Sequence, residues 1–147
     1  MALKGIKDLP KSIKSKKSNN LFQSFGYAFE GLGYALRTVK NLRIHLFFTL
    51  LVIIGGKFFG ISRTEYFICL LFVALVISLE LVNTAIEEVV DLASPEINPI
   101  AKRSKDVAAG AVLFSAAIAF IVGVMIFLPK VITFVRGVLW KINWLDY

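Results

Sequence analysis

The chain has 147 residues, 57% of them hydrophobic against 18% charged, with a formal net charge of +7. That length supports one modest domain, and the apolar share exceeds what a water-soluble core needs, so the basic residues read as flanks of membrane segments rather than as a nucleic-acid surface. A single cysteine, Cys69, excludes an internal disulfide framework and any CxxC zinc or redox site.

In chain order, residues 1–20 carry six lysines against one acid, Asp8, and read as a mobile basic arm. The apolar run and small-residue cleavage site of a secretory signal are missing after it. From Leu21 to about Lys40, the residues Phe22, Phe25, Phe29, Leu32, Leu36 and Val39 recur at steps of three and four. The spacing predicts an amphipathic helix lying in the membrane interface; a soluble core helix is the blander alternative, and little of the remaining chain is soluble.

Leu42 to Gly60 is a short first span, interrupted by Arg43, His45, Lys57 and Gly55-Gly56. Ser62-Arg63-Thr64-Glu65 has the form of a capping box and opens a long helix expected to reach about Val90. Pro95 and Pro99 interrupt the chain, Val107 to Leu128 forms a third span without a charge, and Pro129-Lys130 is expected to close it. The tail, 131–147, is compatible with a second interfacial helix anchored by Trp140 and Trp144. The expected architecture is an all-α integral membrane protein: basic arm 1–20, membrane domain 21–130 and amphipathic tail 131–147. Nine Lys/Arg precede the first span, whereas the connection after it holds Lys57 and Arg63. The positive-inside rule then puts the N-terminus and the Asp91–Asp106 connection in the cytoplasm.

The second span carries the chemistry. At about 100° per residue, Glu80, Asn83, Glu87 and Asp91 fall within roughly 80° of one another. Acids at membrane depth cost on the order of 3 kcal/mol each and usually serve a function. Glu80, after the apolar stretch Tyr66 to Leu79, is the deepest of them. Polar residues also hold helices together by hydrogen bonds, but Asn83 alone would suffice for that, and three aligned acids repel without a cation. Lys102-Arg103-Ser104-Lys105-Asp106 precedes the third span. Alone it is a positive-inside signal; beside the acidic stripe it suggests a site for a divalent cation and an anionic group, the combination phosphoryl transfer requires. No Walker A sequence or protein-kinase motif is present.

The run Glu80-Leu81-Val82-Asn83-Thr84-Ala85-Ile86-Glu87-Glu88-Val89-Val90-Asp91 resembles the signature of the prokaryotic diacylglycerol kinase and undecaprenol kinase family. Ala101-Lys102-Arg103-Ser104-Lys105-Asp106, with Ala109-Gly110-Ala111-Val112-Leu113 after it, resembles its second block. The resemblance implies a homotrimer of small chains, each with three spans and a surface helix, transferring the γ-phosphate of magnesium ATP to a lipid alcohol in the bacterial cell membrane. It implies Glu80 as general base with Asn83 positioning reactants, Glu87 as the Mg2+ ligand, and Tyr27, Glu96, Lys105 and Asp106 at the nucleotide. It favours undecaprenol over diacylglycerol. Two positions depart from the family pattern: Val39 stands where a second metal-binding glutamate is common, and Asn98 where histidine is common. The competing expectations are a catalytically impaired relative and a small proton- or ion-conducting oligomer.

Overall fold

A computed structural model of the protein describes residues 20–143. Four helices follow one another: α1 (Leu21–Thr38), α2 (Lys40–Phe59), α3 (Arg63–Ala93) and α4 (Pro99–Asn143). The described residues contain no strand, and α2, α3 and α4 are long and apolar enough to cross a membrane. The basic arm, apart from its last residue, and residues 144–147 lie outside the described residues.

The chain divides into two units, 1–34 and 35–147. In the first, Asn20 caps α1 by accepting the Gln23 N–H on Oδ1 at 2.9 Å. The side chains of α1 up to Tyr34 are exposed almost throughout.

In the second unit, α1 ends and α2 begins with one residue between them. Val39 is extended at φ −90° and ψ 108°, and its N–H donates to the Ala35 carbonyl at 2.8 Å. α1 therefore ends at Thr38, two residues before the expected Lys40, because two adjacent β-branched residues, Thr38 and Val39, weaken the helix there.

A tight hairpin turns α2 into α3. Gly60 ends α2 in the left-handed region (φ 62°), its N–H returning to the Gly56 carbonyl, a conformation glycine adopts without penalty. Ser62 then caps α3: its N–H donates to Glu65 Oε2 at 2.6 Å and its Oγ accepts the Glu65 N–H at 3.3 Å, as the capping-box pattern predicts. Gly56 is a site of close approach. A Cβ there would lie 2.7 Å from the Tyr66 ring, which is fixed by its hydroxyl donating to the Ile53 carbonyl at 2.9 Å.

α3 and α4 pack antiparallel between two ion pairs. Lys105 Nζ meets Asp91 Oδ1 at 2.5 Å at one end, and Lys130 Nζ meets Glu65 Oε1 at 3.3 Å at the other. The intervals on the two helices agree within one residue, about 39 Å of helix at 1.5 Å per residue. That is close to the roughly 40–45 Å of a bilayer with its headgroups. The register follows: Glu80 stands at the level of Ser115, Asn83 at that of Val112, and Glu87 at that of Ala108. The buried residues of this seam fall where the register puts them: Cys69, Val76, Glu80 and Asn83 on α3, Ala108, Val112 and Ser115 on α4.

Pro129 does not close the third span. It removes one backbone donor, yet α4 runs through it to Asn143. Side chains hold both sides of the interruption. Lys130 is paired with Glu65, Phe134 packs edge-on against Phe58 and Phe59 at 5.4 and 5.9 Å, and Phe127 stands 6.4 Å from Phe59. Membrane helices tolerate such prolines when neighbours make good the lost contacts. The tail is thus continuous with the span instead of forming a separate helix.

Candidate functional site

The site is built on the stripe of α3 that faces the other helices. Glu80 is only 2% exposed, the most buried large side chain of the described residues. Its backbone carbonyl accepts from Thr84 Oγ1 at 2.9 Å, and no bond to its carboxylate is found among the described residues. Leu42, also 2% exposed, comes to the level of Glu80 through the α2–α3 hairpin, which likewise brings Val39 to about the level of Asn83.

One turn beyond Glu80, Asn83 is buried and its Nδ2 donates to Glu87 Oε1 at 3.0 Å. The Asn83 Oδ1 is left buried with no hydrogen-bond partner. An unmet buried acceptor costs on the order of 1–3 kcal/mol and calls for a ligand, an ion or a water. Asp91, a turn further on, is tied to Lys105. The predicted stripe is therefore real and graded: Glu80 buried, Glu87 half-buried, Asp91 exposed.

α4 supplies the basic side. Asn98 caps it, Oδ1 accepting from the N–H groups of Ile100 at 2.8 Å and Ala101 at 3.4 Å, with Pro99 in the first helical turn where its missing donor costs nothing. This gives Asn98 a structural role that the sequence comparison with histidine did not suggest. Lys102, Arg103 and Lys105 cluster in the first two turns, so the positive end of the helix dipole and three cations coincide. Lys105 reaches the acidic stripe; Asp106, next in sequence, is exposed and makes no ion pair within the described residues. It is Asp91, not Asp106, that orients Lys105. Glu96 is exposed in the α3–α4 connection, where its carbonyl accepts from Ser94 Oγ at 3.3 Å. Tyr27 lies on α1 in the first unit and is 46% exposed.

Among the described residues no three His, Cys, Asp or Glu side chains gather into a metal-holding group. Magnesium asks less: it is commonly held by one or two carboxylates, the remaining positions going to water and substrate phosphates. Glu87 and the orphaned Asn83 Oδ1 are hard oxygen donors on one face of α3, and so fit such an ion. Val39, at about that level just before α2, offers only hydrocarbon.

Below Glu80 the three spanning helices border a mostly apolar cleft of about 550 Å³ that is open on one side, lined by residues including His45, Val52, Phe72, Val76, Ile77 and Phe127. Its wall reaches Ile77, one turn short of Glu80. A buried carboxylate thus stands at the head of a mostly hydrocarbon-lined space, with water-accessible charges beyond it.

Fold and site define a helical integral membrane protein with a graded acidic stripe facing a basic helix start. The family model described as prokaryotic diacylglycerol kinase matches residues 26–127. The undecaprenol kinase of Bacillus subtilis is 43% identical over 112 residues, 76% of this chain and 91% of that protein. A diacylglycerol kinase of Synechocystis is 42% identical over 115 residues, 78% of this chain and 66% of that protein. A diacylglycerol kinase of Haemophilus influenzae is 30% identical over 116 residues, 78% and 98% of the two chains. The chain belongs to the prokaryotic diacylglycerol kinase family and is a lipid kinase, a phosphotransferase.

Proposed function

We propose that the protein transfers the γ-phosphate of ATP to the hydroxyl of a membrane lipid, with a polyprenol such as undecaprenol preferred over diacylglycerol. It does so as a homotrimer in the bacterial cytoplasmic membrane, with its N-terminus in the cytoplasm. The carrying observation is the burial of Glu80 one turn above a mostly apolar cleft. A substrate dissolved in the bilayer is reached from there, whereas a nucleotide in water meets the exposed end of the stripe and the start of α4. The polyprenol preference is supported by the Bacillus relative, an undecaprenol kinase 43% identical to this chain.

In this reading Glu80 takes the proton of the lipid hydroxyl as that oxygen bonds to the γ-phosphorus and the bond from phosphorus to the ADP oxygen breaks. Asn83 positions the reactants and orients Glu87 through its amide. Glu87 and Asn83 Oδ1 would hold Mg2+, which would supply positive charge to the phosphates. Lys105, released from Asp91, and Asp106 meet the nucleotide at the start of α4, with Glu96 and Tyr27 completing its binding.

The test is phosphorylation by purified protein in detergent with radiolabelled ATP, magnesium and a panel of undecaprenol, diacylglycerol and ceramide. Labelling of undecaprenol above the other two is expected. Labelling of none would overturn the kinase reading for this chain and favour an impaired relative; Glu80-dependent proton flux in liposomes without ATP would favour a conducting oligomer.

A further inference from the structure

The cleft below Glu80 owes its width to small residues on α4. Ala116, Ala119 and Gly123 recur there at steps of three and four and all line it, so this face brings no long side chain towards Val52 of α2 and Phe72 of α3. A Cβ built on Gly123 would meet nothing within 4 Å. Along α4 the lining runs from Ala116 to Leu128, about 18 Å of helix. At the far end the Phe127 ring comes 3.4 Å from where a Gly55 Cβ would lie and stands 6.4 Å from that of Phe59, so packed rings mark its limit. The near end is polar. His45, the one histidine of the chain, lines it beside Ile77 and Ala116, with Glu80 a turn above. The Thr49 hydroxyl is turned onto the His45 carbonyl at 2.8 Å, whereas no bond to the His45 imidazole is found among the described residues.

We propose that this cleft binds the first stretch of the substrate's hydrocarbon chain, next to the hydroxyl, and that Gly123 is the residue that lets the chain pass. The proposal rests on the lipid-kinase reading above. Three features favour a lipid chain as the occupant. The volume of about 550 Å³ falls in the range of small-molecule sites. The polarity runs as it does in a lipid alcohol, with a carboxylate and an imidazole at one end and hydrocarbon below. The three helices that border the cleft are long and apolar enough to cross a membrane, so its open side admits a chain from the bilayer and releases the remainder of a long one. A neighbouring helix packed there would meet hydrocarbon and leave the charge at the head without a purpose. An extended chain advances about 1.2 Å per bond. Gly123 lies about 12 Å below the level of Glu80, so a chain whose oxygen meets Glu80 passes Gly123 after about ten carbons. A leucine at this position therefore blocks longer chains and spares shorter ones.

The full-length protein, Gly123→Leu and Gly123→Ala are assayed with ATP and magnesium on geraniol, whose chain ends above Gly123, and on geranylgeraniol, whose chain passes it. In Gly123→Leu the ratio of the KM for geranylgeraniol to that for geraniol is expected to rise about tenfold or more, and in Gly123→Ala by less; turnover of geraniol reports that each variant is folded. In parallel, geranylgeraniol carrying a diazirine near its chain end is photo-crosslinked to the parent protein without ATP. Adducts are expected on the cleft walls and should be lost in Gly123→Leu. Phosphorylation with an unchanged KM ratio would overturn the cleft proposal and leave the kinase reading standing. Adducts in the cleft without phosphorylation of any alcohol would do the reverse. Adducts confined to the outer faces of the helices would also overturn the proposal and give the space to a neighbouring copy of the chain.

Discussion

The Asn83 amide donates to the Glu87 carboxylate across one turn of α3 at 3.0 Å, leaving its own oxygen buried and unmet. The two side chains are thus one device. The bond orients Glu87 and fixes the amide so that Oδ1 points where no protein donor follows. If both serve the same ion, Asn83→Ala and Glu87→Gln should each lower lipid phosphorylation, and the double variant should be little worse than either single one. A coupling of about 0.5–3 kcal/mol is expected from a double-mutant cycle of rates; additive losses would show that the residues act separately.

Glu80→Gln keeps the shape of the side chain and removes its basicity. A loss of about 100-fold or more in turnover is expected, the scale of a general base, with the protein extracting and behaving as a native oligomer in size-exclusion chromatography. A variant as active as the parent would remove Glu80 from the proton transfer.

The Asp91–Lys105 pair is partly exposed on both sides, and pairs of that kind contribute about 0–1 kcal/mol to stability. Asp91→Asn should therefore leave thermal stability in detergent almost unchanged. Lys105→Met should raise the KM for ATP severalfold with little effect on the KM for lipid. Equal effects on both substrates would argue that Lys105 serves only to hold α4 against α3.

The α2–α3 hairpin offers a test independent of the chemistry. Gly60→Ala places a side chain in the left-handed region at a cost of about 1–2 kcal/mol. Gly56→Ala drives a methyl into the Tyr66 ring and should break its bond to the Ile53 carbonyl. Both should lower the denaturation temperature in detergent, and Tyr66→Phe, which removes only the hydroxyl, should do so less than Gly56→Ala.

Restoring a carboxylate with Val39→Glu asks whether the α2 position limits the ion. The magnesium concentration for half-maximal phosphorylation is expected to fall. An unchanged requirement would mean that Glu87, Asn83 and the phosphates already satisfy the ion.

Much of this arrangement was legible beforehand because helical periodicity is local: the Ser62–Glu65 cap and the shared face of Glu80, Asn83, Glu87 and Asp91 depend on spacing within one helix. What was not legible depends on neighbours. Pro129 looks like a terminus until Phe134 is seen against Phe58 and Phe59, and Lys105 has no visible partner until antiparallel packing brings Asp91 to it. Asn98 stands where the family pattern has histidine, and only the folded chain shows its side chain facing the N–H groups at the start of its own helix.

The two ion pairs that bracket α3 and α4 make the helix pair a gauge of fixed length. Their spacing cannot stretch, so a lipid mixture with longer acyl chains must thin locally or bury charges, and one with shorter chains must make the pair tilt. Either adjustment changes how far Glu80 sits from the headgroup plane where the substrate hydroxyl waits. Hydrophobic mismatch alone, with no change in headgroup or nucleotide, therefore becomes a control on turnover, with an optimum at one acyl length.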